Sequence, residues 1–229
     1  MNDSLIFGKN IALFEGIAQY DLKGMLDCLG ATTAAYRKGE LILMAGEMTH
    51  HVGILLSGRA TIYRDDVLGN RNVIRALEPP EMFAEAFVCA GALHSPVTVE
   101  AASDASVLKL SFHKIVRTCA NGCDFHTILI RNMMGILAKK NLALGEKIDH
   151  ISQRTTRQKI ASYLLAQADG ADEFSIPLDR QTLSEYLCVN RSALSRELSR
   201  IRNAGVLDYH KNRFTIRDRE ALEQLLLSE

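Results

Sequence analysis

The residues of this 229-residue chain best spaced for chemistry lie between Ile176 and Ala204. Arg191, Ser192, Ser195 and Arg196 follow the i, i+1, i+4, i+5 spacing that puts them on one face of a helix, with Leu194, Leu198 and Ile201 on the other. An arginine on such a face can hold a guanine edge through two parallel hydrogen bonds. Serine hydroxyls and backbone N–H groups hold phosphate oxygens. That chemistry fits a DNA major groove; the bland alternative is a surface helix hairpin with solvated charges.

The flanking residues supply the elements that such a helix needs. Asp179 is placed to cap a first helix that turns Leu183, Tyr186 and Leu187 inward, and Arg180 and Gln181 follow it at the helix start. Cys188, Val189 and Asn190 make a turn, Asn190 caps the second helix over residues 191–203, and Gly205 stands just past its end. The pattern predicts a helix-turn-helix. Residues 206–209 and 213–216 read as two short strands around a turn at 210–212, a wing with Lys211 and Arg213 at its tip. From 191 to 213 six basic residues (Arg191, Arg196, Arg200, Arg202, Lys211, Arg213) face only Glu197 and Asp208. The whole chain balances 27 basic against 27 acidic residues, so positive charge is concentrated where DNA would lie.

Composition bounds the rest. With 47% hydrophobic residues the chain can bury a real core, and a neutral total excludes a simple polybasic binder. The first residues lack a charged region followed by a sustained apolar run, and no stretch is long and apolar enough to span a membrane. Cys28, Cys89, Cys119, Cys123 and Cys188 are odd in number and irregular in spacing. That argues for reduced thiols in a cytoplasm rather than a disulfide framework.

Read in order, the chain is α+β. A helix is expected over 12–29. Short apolar and β-branched runs follow from 32 to 110, broken by Gly39, Gly46, Gly58 and Gly69, which predict an antiparallel β-roll. From 123 to 151 the period becomes seven. Ile130, Leu137, Leu144 and Ile151 form one series, with Met134, Asn141 and Ile148 as its companion. These make the seam of a parallel two-stranded coiled coil, in which Asn141 pairs with its twin and sets the register. A helix packed only on its own roll is the alternative. Polar residues at 152–156 mark a hinge, a helix follows over 157–168, residues 170–173 read as a loop, and Asp218 caps a last amphipathic helix. The expected domains are a sensing roll at 1–121, a dimerisation helix at 122–151 and a winged helix-turn-helix at 152–229. A parallel dimer sets two recognition helices about one DNA turn apart, as an inverted repeat requires.

The order of parts, with Tyr36-x-Lys38-Gly39-Glu40-x-Ile42, Ala45-Gly46-Glu47, Leu56-Ser57-Gly58, Phe83-Ala84-Glu85, Arg180-Gln181 and Arg191 to Ser195-Arg196, resembles the Crp/Fnr family of bacterial transcription regulators. The resemblance covers nearly the whole chain. It implies a cyclic-nucleotide-binding-like roll, base reading by Arg191 and Arg196, phosphate approach by Arg180 and Gln181, and RNA polymerase as a partner. Two departures matter. Members that bind cyclic AMP carry Phe-Gly-Glu-Leu and then an arginine that neutralises the cyclic phosphate. Here the segment is Phe83-Ala84-Glu85-Ala86, and Ser95, ahead of Pro96 and Val97, falls at the arginine's place. Ser95 lacks the charge and Pro96 the backbone donor, so the effector is expected to be another small molecule or a redox signal sensed near Phe83, Ala84, Glu85, Ser95 and Val97. Ser192 also replaces a glutamate that would accept from cytosine.

Cys119 and Cys123, near His126, have the chemistry of a redox pair or a partial metal site, with buried structural thiols as the alternative. The rest of the cysteine set expected of an iron–sulfur sensor is missing before Cys28, so no metal is assigned and the cofactor is left open. A binding module that signals to a protein partner without reading DNA is the competing function. An enzyme with a Cys119 or Cys123 nucleophile and His126 as base lacks an oxyanion site and a third orienting group in the sequence, so no catalytic residue is assigned.

Overall fold

The computed structural model describes residues 9–67, 71–92, 94–117, 123 and 125–227. It separates into two compact units, 1–139 and 140–229, each with its own core. All named strand pairs are antiparallel, and runs of strands are segregated from runs of helices in the α+β manner expected.

In the N-terminal unit a single 3-10 turn, Ala12–Phe14, precedes helix α1 (Gln19–Leu29). The continuous helix expected over 12–29 is therefore broken. Gly16 adopts φ +80 between the two pieces, a conformation no helix interior holds. The strands are β1 (Thr32–Tyr36), β2 (Leu41–Leu43), β3 (His51–Ser57), β4 (Ala60–Asp65), β5 (Arg71–Leu77) and β6 (Met82–Phe83). A short helix α2 (Glu85–Cys89) leads to β7 (Thr98–Ala101), β8 (Ala105–Ser111) and helix α3 (Phe112–Val116). They form two four-stranded sheets, ordered β1-β8-β3-β6 and β2-β7-β4-β5.

The central strand β3 explains why its apolar run is continuous rather than alternating. Leu55 points into the roll, against Val99, Val107 and Phe83. Val52, Ile54 and Leu56 face a second cluster that takes in Leu26 and Leu29 of α1. A strand buried on both faces needs apolar residues at every position. Gly53 is required there, because a Cβ would lie 2.2 Å from the Phe83 ring. Gly58 is required at the following turn, where φ is +80 and a Cβ would meet the Asp104 carbonyl at 2.1 Å.

Helix α4 spans Phe125–Ile151. Leu129 and Met133 are buried in the N-terminal core. Asn132 Nδ2 donates to the carbonyls of Leu13 (3.0 Å) and Glu15 (2.8 Å), clamping the chain before α1 to this helix.

The C-terminal unit contains the end of α4, then α5 (Thr156–Ala168), β9 (Glu173–Ser175), α6 (Arg180–Tyr186), α7 (Arg191–Asn203), β10 (Leu207–His210), β11 (Arg213–Ile216) and α8 (Arg219–Leu227). The polar hinge residues do real capping: Thr155 accepts from the Gln158 N–H and the Gln158 side chain accepts from the Thr155 N–H, a reciprocal capping box. Asp218 caps α8 by accepting from Ala221 N–H. The expected loop at 170–173 gives way, from Glu173 on, to β9, which pairs with β11 and makes the wing a three-stranded sheet. Ile160, Leu164, Leu183, Leu187, Leu194, Leu198, Ile201 and Leu222 fill the core of this unit.

Candidate nucleic-acid interface

Helix α6 starts as its residues dictate: Asp179 accepts from the Thr182 N–H at 2.8 Å. That bond first, then further hydrogen bonds and the Arg191 charge, hold the Asp179 carboxyl below its ordinary range. The turn is closed by Cys188 in the left-handed region at φ 53, with Val189 N–H bonded to Ser184 carbonyl. Helix α7 then spans Arg191–Asn203, with Leu194, Leu198 and Ile201 buried. Gly205, at φ +76, follows its end, and Val206 N–H returns to the Ile201 carbonyl. One cap differs from expectation. Asn190 occupies the N-cap position, but its side chain makes no cap hydrogen bond.

Arg191, Ser192, Ser195 and Arg196 are all exposed on α7. Ser199, expected from its spacing to face outward with them, is half-buried, donating to the Ser195 carbonyl at 3.0 Å and lying 3.5 Å from Tyr209 Oη. Arg180 is tied to the wing: its guanidinium lies 5.0 Å from the Tyr209 ring centre and donates to the Lys211 carbonyl at 3.4 Å. Arg202 also lies 5.0 Å from the Tyr209 ring centre. Gln181 is exposed and donates to Glu185 at 2.7 Å. Lys211, at φ 55, and Arg213 are exposed at the β10–β11 turn. Asn212 holds that turn down through hydrogen bonds to the Ile176 backbone in both directions.

One feature was not legible in the sequence. Arg196 lines an open cleft of about 570 Å³ with Thr155, Thr156, Arg157, Ala193, Glu197, Arg200 and Leu225. Inside it Glu197 accepts from Arg157 at 3.0 Å and from Arg200. Burial pushes the Glu197 carboxyl up, but the Arg157 and Arg200 bonds and charges outweigh it and hold the group low. Among the described residues Arg196 has no ion-pair partner.

Residues 158–225 match the Crp-like helix-turn-helix domain, and residues 33–121 match the cyclic nucleotide-binding domain. The chain therefore carries a cyclic nucleotide-binding domain followed by a Crp-like helix-turn-helix domain. No curated protein matches the chain. Solved structures of the same fold include the Thermus thermophilus catabolite activator protein, at 20% identity and TM-score 0.53, with 94% of this chain and 98% of that one covered. FixK2 from Bradyrhizobium japonicum gives 22% and 0.52, with 85% and 96% covered. CprK complexed with OCPA gives 15% and 0.59, with 90% and 93% covered. At such identities the likeness speaks for the fold.

Within the roll, Phe83 and Ala84 line a small cavity of about 110 Å³ together with Glu47, His51, Gly53 and Lys109. Glu85 is buried at the start of α2, directly after Ala84 in the left-handed region at φ 68. Buried Ser95 donates to the Val97 carbonyl at 2.7 Å, so its hydroxyl is spent on its own loop. The structure thus does not place Ser95 in the cavity lining. Cys119 lies outside the described residues. Among those described, no group of three or more His, Cys, Asp or Glu is placed to hold a metal ion. The buried His126 instead meets Cys28, Nε2 to Sγ 3.6 Å, a long-range contact that neither residue's local sequence announces. No helix among the described residues is long and apolar enough to cross a membrane.

The end of α4 enters the C-terminal core through His150, which is 5% exposed. Its Nδ1 shares a 2.8 Å hydrogen bond with Ser162 Oγ, and its ring meets Tyr163 edge-on at 5.6 Å and Tyr186 at 6.4 Å. Burial lowers its pKa from 6.5, opposed by Glu146 and Asp149. A base depressed by folding binds fewer protons in the folded state. Its contribution is complete above pH 6.5 and is lost as pH falls through the depressed folded value. The C-terminal unit should therefore lose stability on acidification from pH 7.5, and His150→Gln should flatten that slope. Urea midpoints across pH measure it; equal slopes in both proteins would contradict it.

Proposed function

We propose that the chain is a homodimeric transcription regulator that reads an inverted repeat through α7. The observation that carries this reading is the exposed Arg191, Ser192, Ser195 and Arg196 face, with Arg196 in no ion pair among the described residues, on a helix followed by a wing tipped with Lys211 and Arg213. Arg191 and Arg196 contact base edges, while Asn190, Ser192, Ser195, Gln181, Lys211 and Arg213 serve the backbone and register. Arg180 acts mainly by stacking under the wing that it helps to position. The working division is a sensing roll at 1–121, a dimerisation helix at 122–151 and a DNA-binding unit at 152–229.

Dimerisation is supported by the exposed apolar residues of the seam. Met134, Leu144 and Ile148 are 65%, 56% and 52% exposed, Asn141 is exposed between them, and Ile130, Leu137 and Ile151 are half-buried. The effector is a small molecule other than a cyclic nucleotide, or a redox signal. Ser95 offers no charge for a phosphate, and a cavity of about 110 Å³ is well under the roughly 300–1,000 Å³ of ordinary ligand pockets. Cys119 and Cys123 remain the redox candidates. A nucleotide-binding module without DNA binding is the second reading, favoured by the domain match over 33–121. We place the protein in the cytoplasm, acting without catalysis and with RNA polymerase as its downstream partner.

Arg196→Ala tests the site. If Arg196 grips a guanine, discrimination between the operator and random duplex falls by about 1–3 kcal/mol in competition binding. Equal losses on both DNAs would assign it to a phosphate instead.

A further inference from the structure

The Arg157–Glu197–Arg200 cluster lies in the same cleft as Arg196, and its chemistry is not that of a groove reader. Among the described residues Glu197 is the only carboxylate lining the cleft. Its side chain is 16% exposed, whereas those of Arg157 and Arg200 are 44% and 65% exposed. The arginines thus reach solvent beside the recognition face, while the carboxylate that binds them sits beneath. Exposed ion pairs contribute little to stability. Two guanidinium groups beside a DNA surface, in contrast, matter greatly to binding. Each one that neutralises a phosphate adds sequence-blind affinity and steepens the dependence on salt.

We propose that Glu197 is a specificity-determining residue: by holding Arg157 from α5 and Arg200 from α7, it ties up both guanidinium groups and cancels one of their two positive charges at the phosphate backbone. This rests on the DNA-binding reading above. Without Glu197 the cleft would present Arg157, Arg196 and Arg200 together as a phosphate cradle. Binding would then tighten on every duplex alike, and the operator would lose its advantage. With Glu197 in place, Arg196 alone of the three is free to engage DNA. The pairing also joins the start of α5 to the middle of α7, so both guanidinium groups are held by a contact that keeps the recognition helix seated.

The test compares full-length wild type, Glu197→Gln and Arg200→Gln on a selected operator and on random duplex across a salt series. Glu197→Gln is nearly isosteric and removes only the charge. It should raise random-duplex affinity about three- to tenfold at low salt, steepen the salt slope by about one to two, and reduce the operator-to-random ratio. Arg200→Gln, which removes a guanidinium already tied up, should leave random-duplex affinity and slope unchanged. The proposal is overturned if Glu197→Gln leaves random binding and slope as they were, or lowers both DNAs together. It is also overturned if Arg200→Gln alone weakens random binding, which would show that this arginine already touches phosphate. Should Glu197→Gln fail to fold, the Arg200→Gln arm decides. Wild type that binds neither DNA at any salt would instead overturn the DNA-binding reading itself.

Discussion

Leu198→Ala is expected to destabilise the C-terminal unit by about 2–5 kcal/mol. Leu198 is fully buried, in a cluster with Leu164, Leu183, Leu187, Leu194 and Ile201. Truncation removes its transfer energy and leaves a cavity where α5, α6 and α7 meet. Those surroundings are already fixed by the Asp179 cap and the turn at Cys188, so they cannot collapse to fill it. Amide hydrogen exchange in the full chain measures the change directly. Protection should drop throughout α7 and its neighbours, while β3 and β8 of the N-terminal unit keep theirs. A change below about 0.5 kcal/mol, typical of surface positions, would mean that Leu198 is not the packing centre the structure makes it.

Ile148→Asp is expected to dissociate the dimer. Ile148 is half-exposed on a single chain and holds a seam position one turn from Leu144. Full burial of such a side chain stabilises by about 1.5–3 kcal/mol. About half of that remains to be gained at Ile148, which is 52% exposed, and symmetry counts the loss twice, so roughly 1.5–3 kcal/mol of association is removed. The added carboxylate would also face its own copy across the seam. Sedimentation should show monomers at concentrations where wild type is dimeric, and affinity for an inverted repeat should fall to that of a half-site. A variant that stays dimeric would move the interface off this face of α4. His150, two residues on, faces its own core, so the substitution leaves the α4–α5 contact intact.

How much of this was legible in the sequence follows from the range of each interaction. The bounds of α7 were readable because three local signals agree: the apolar spacing of Leu194, Leu198 and Ile201, the turn ahead of Arg191, and Gly205 beyond. The wing turn and the Asp218 cap were readable for the same reason. What escaped depends on contacts distant in the chain or on elements too short to carry a period. Strand β9 is three residues long and exists because β11 offers it an edge. Glu197 and Arg157 are separated by 40 positions. The resemblance implies that Arg180 approaches phosphates, and the folded wing adds that its guanidinium lies over Tyr209. The break at Gly16 was masked by apolar residues that happen to fit a helical period on both sides. Ser95 was legible as a missing charge, but not as a hydroxyl already bonded to Val97.

The central claim is sequence-specific DNA recognition by a dimer, and a selection on randomised duplex DNA with the purified, reduced protein tests it most directly. Enrichment of an inverted repeat with half-sites centred about one helical turn apart is the expected result. Weak binding that vanishes with salt and enriches no sequence would contradict it, and would show that the arginine face of α7 does not read DNA in the form of the dimer proposed here.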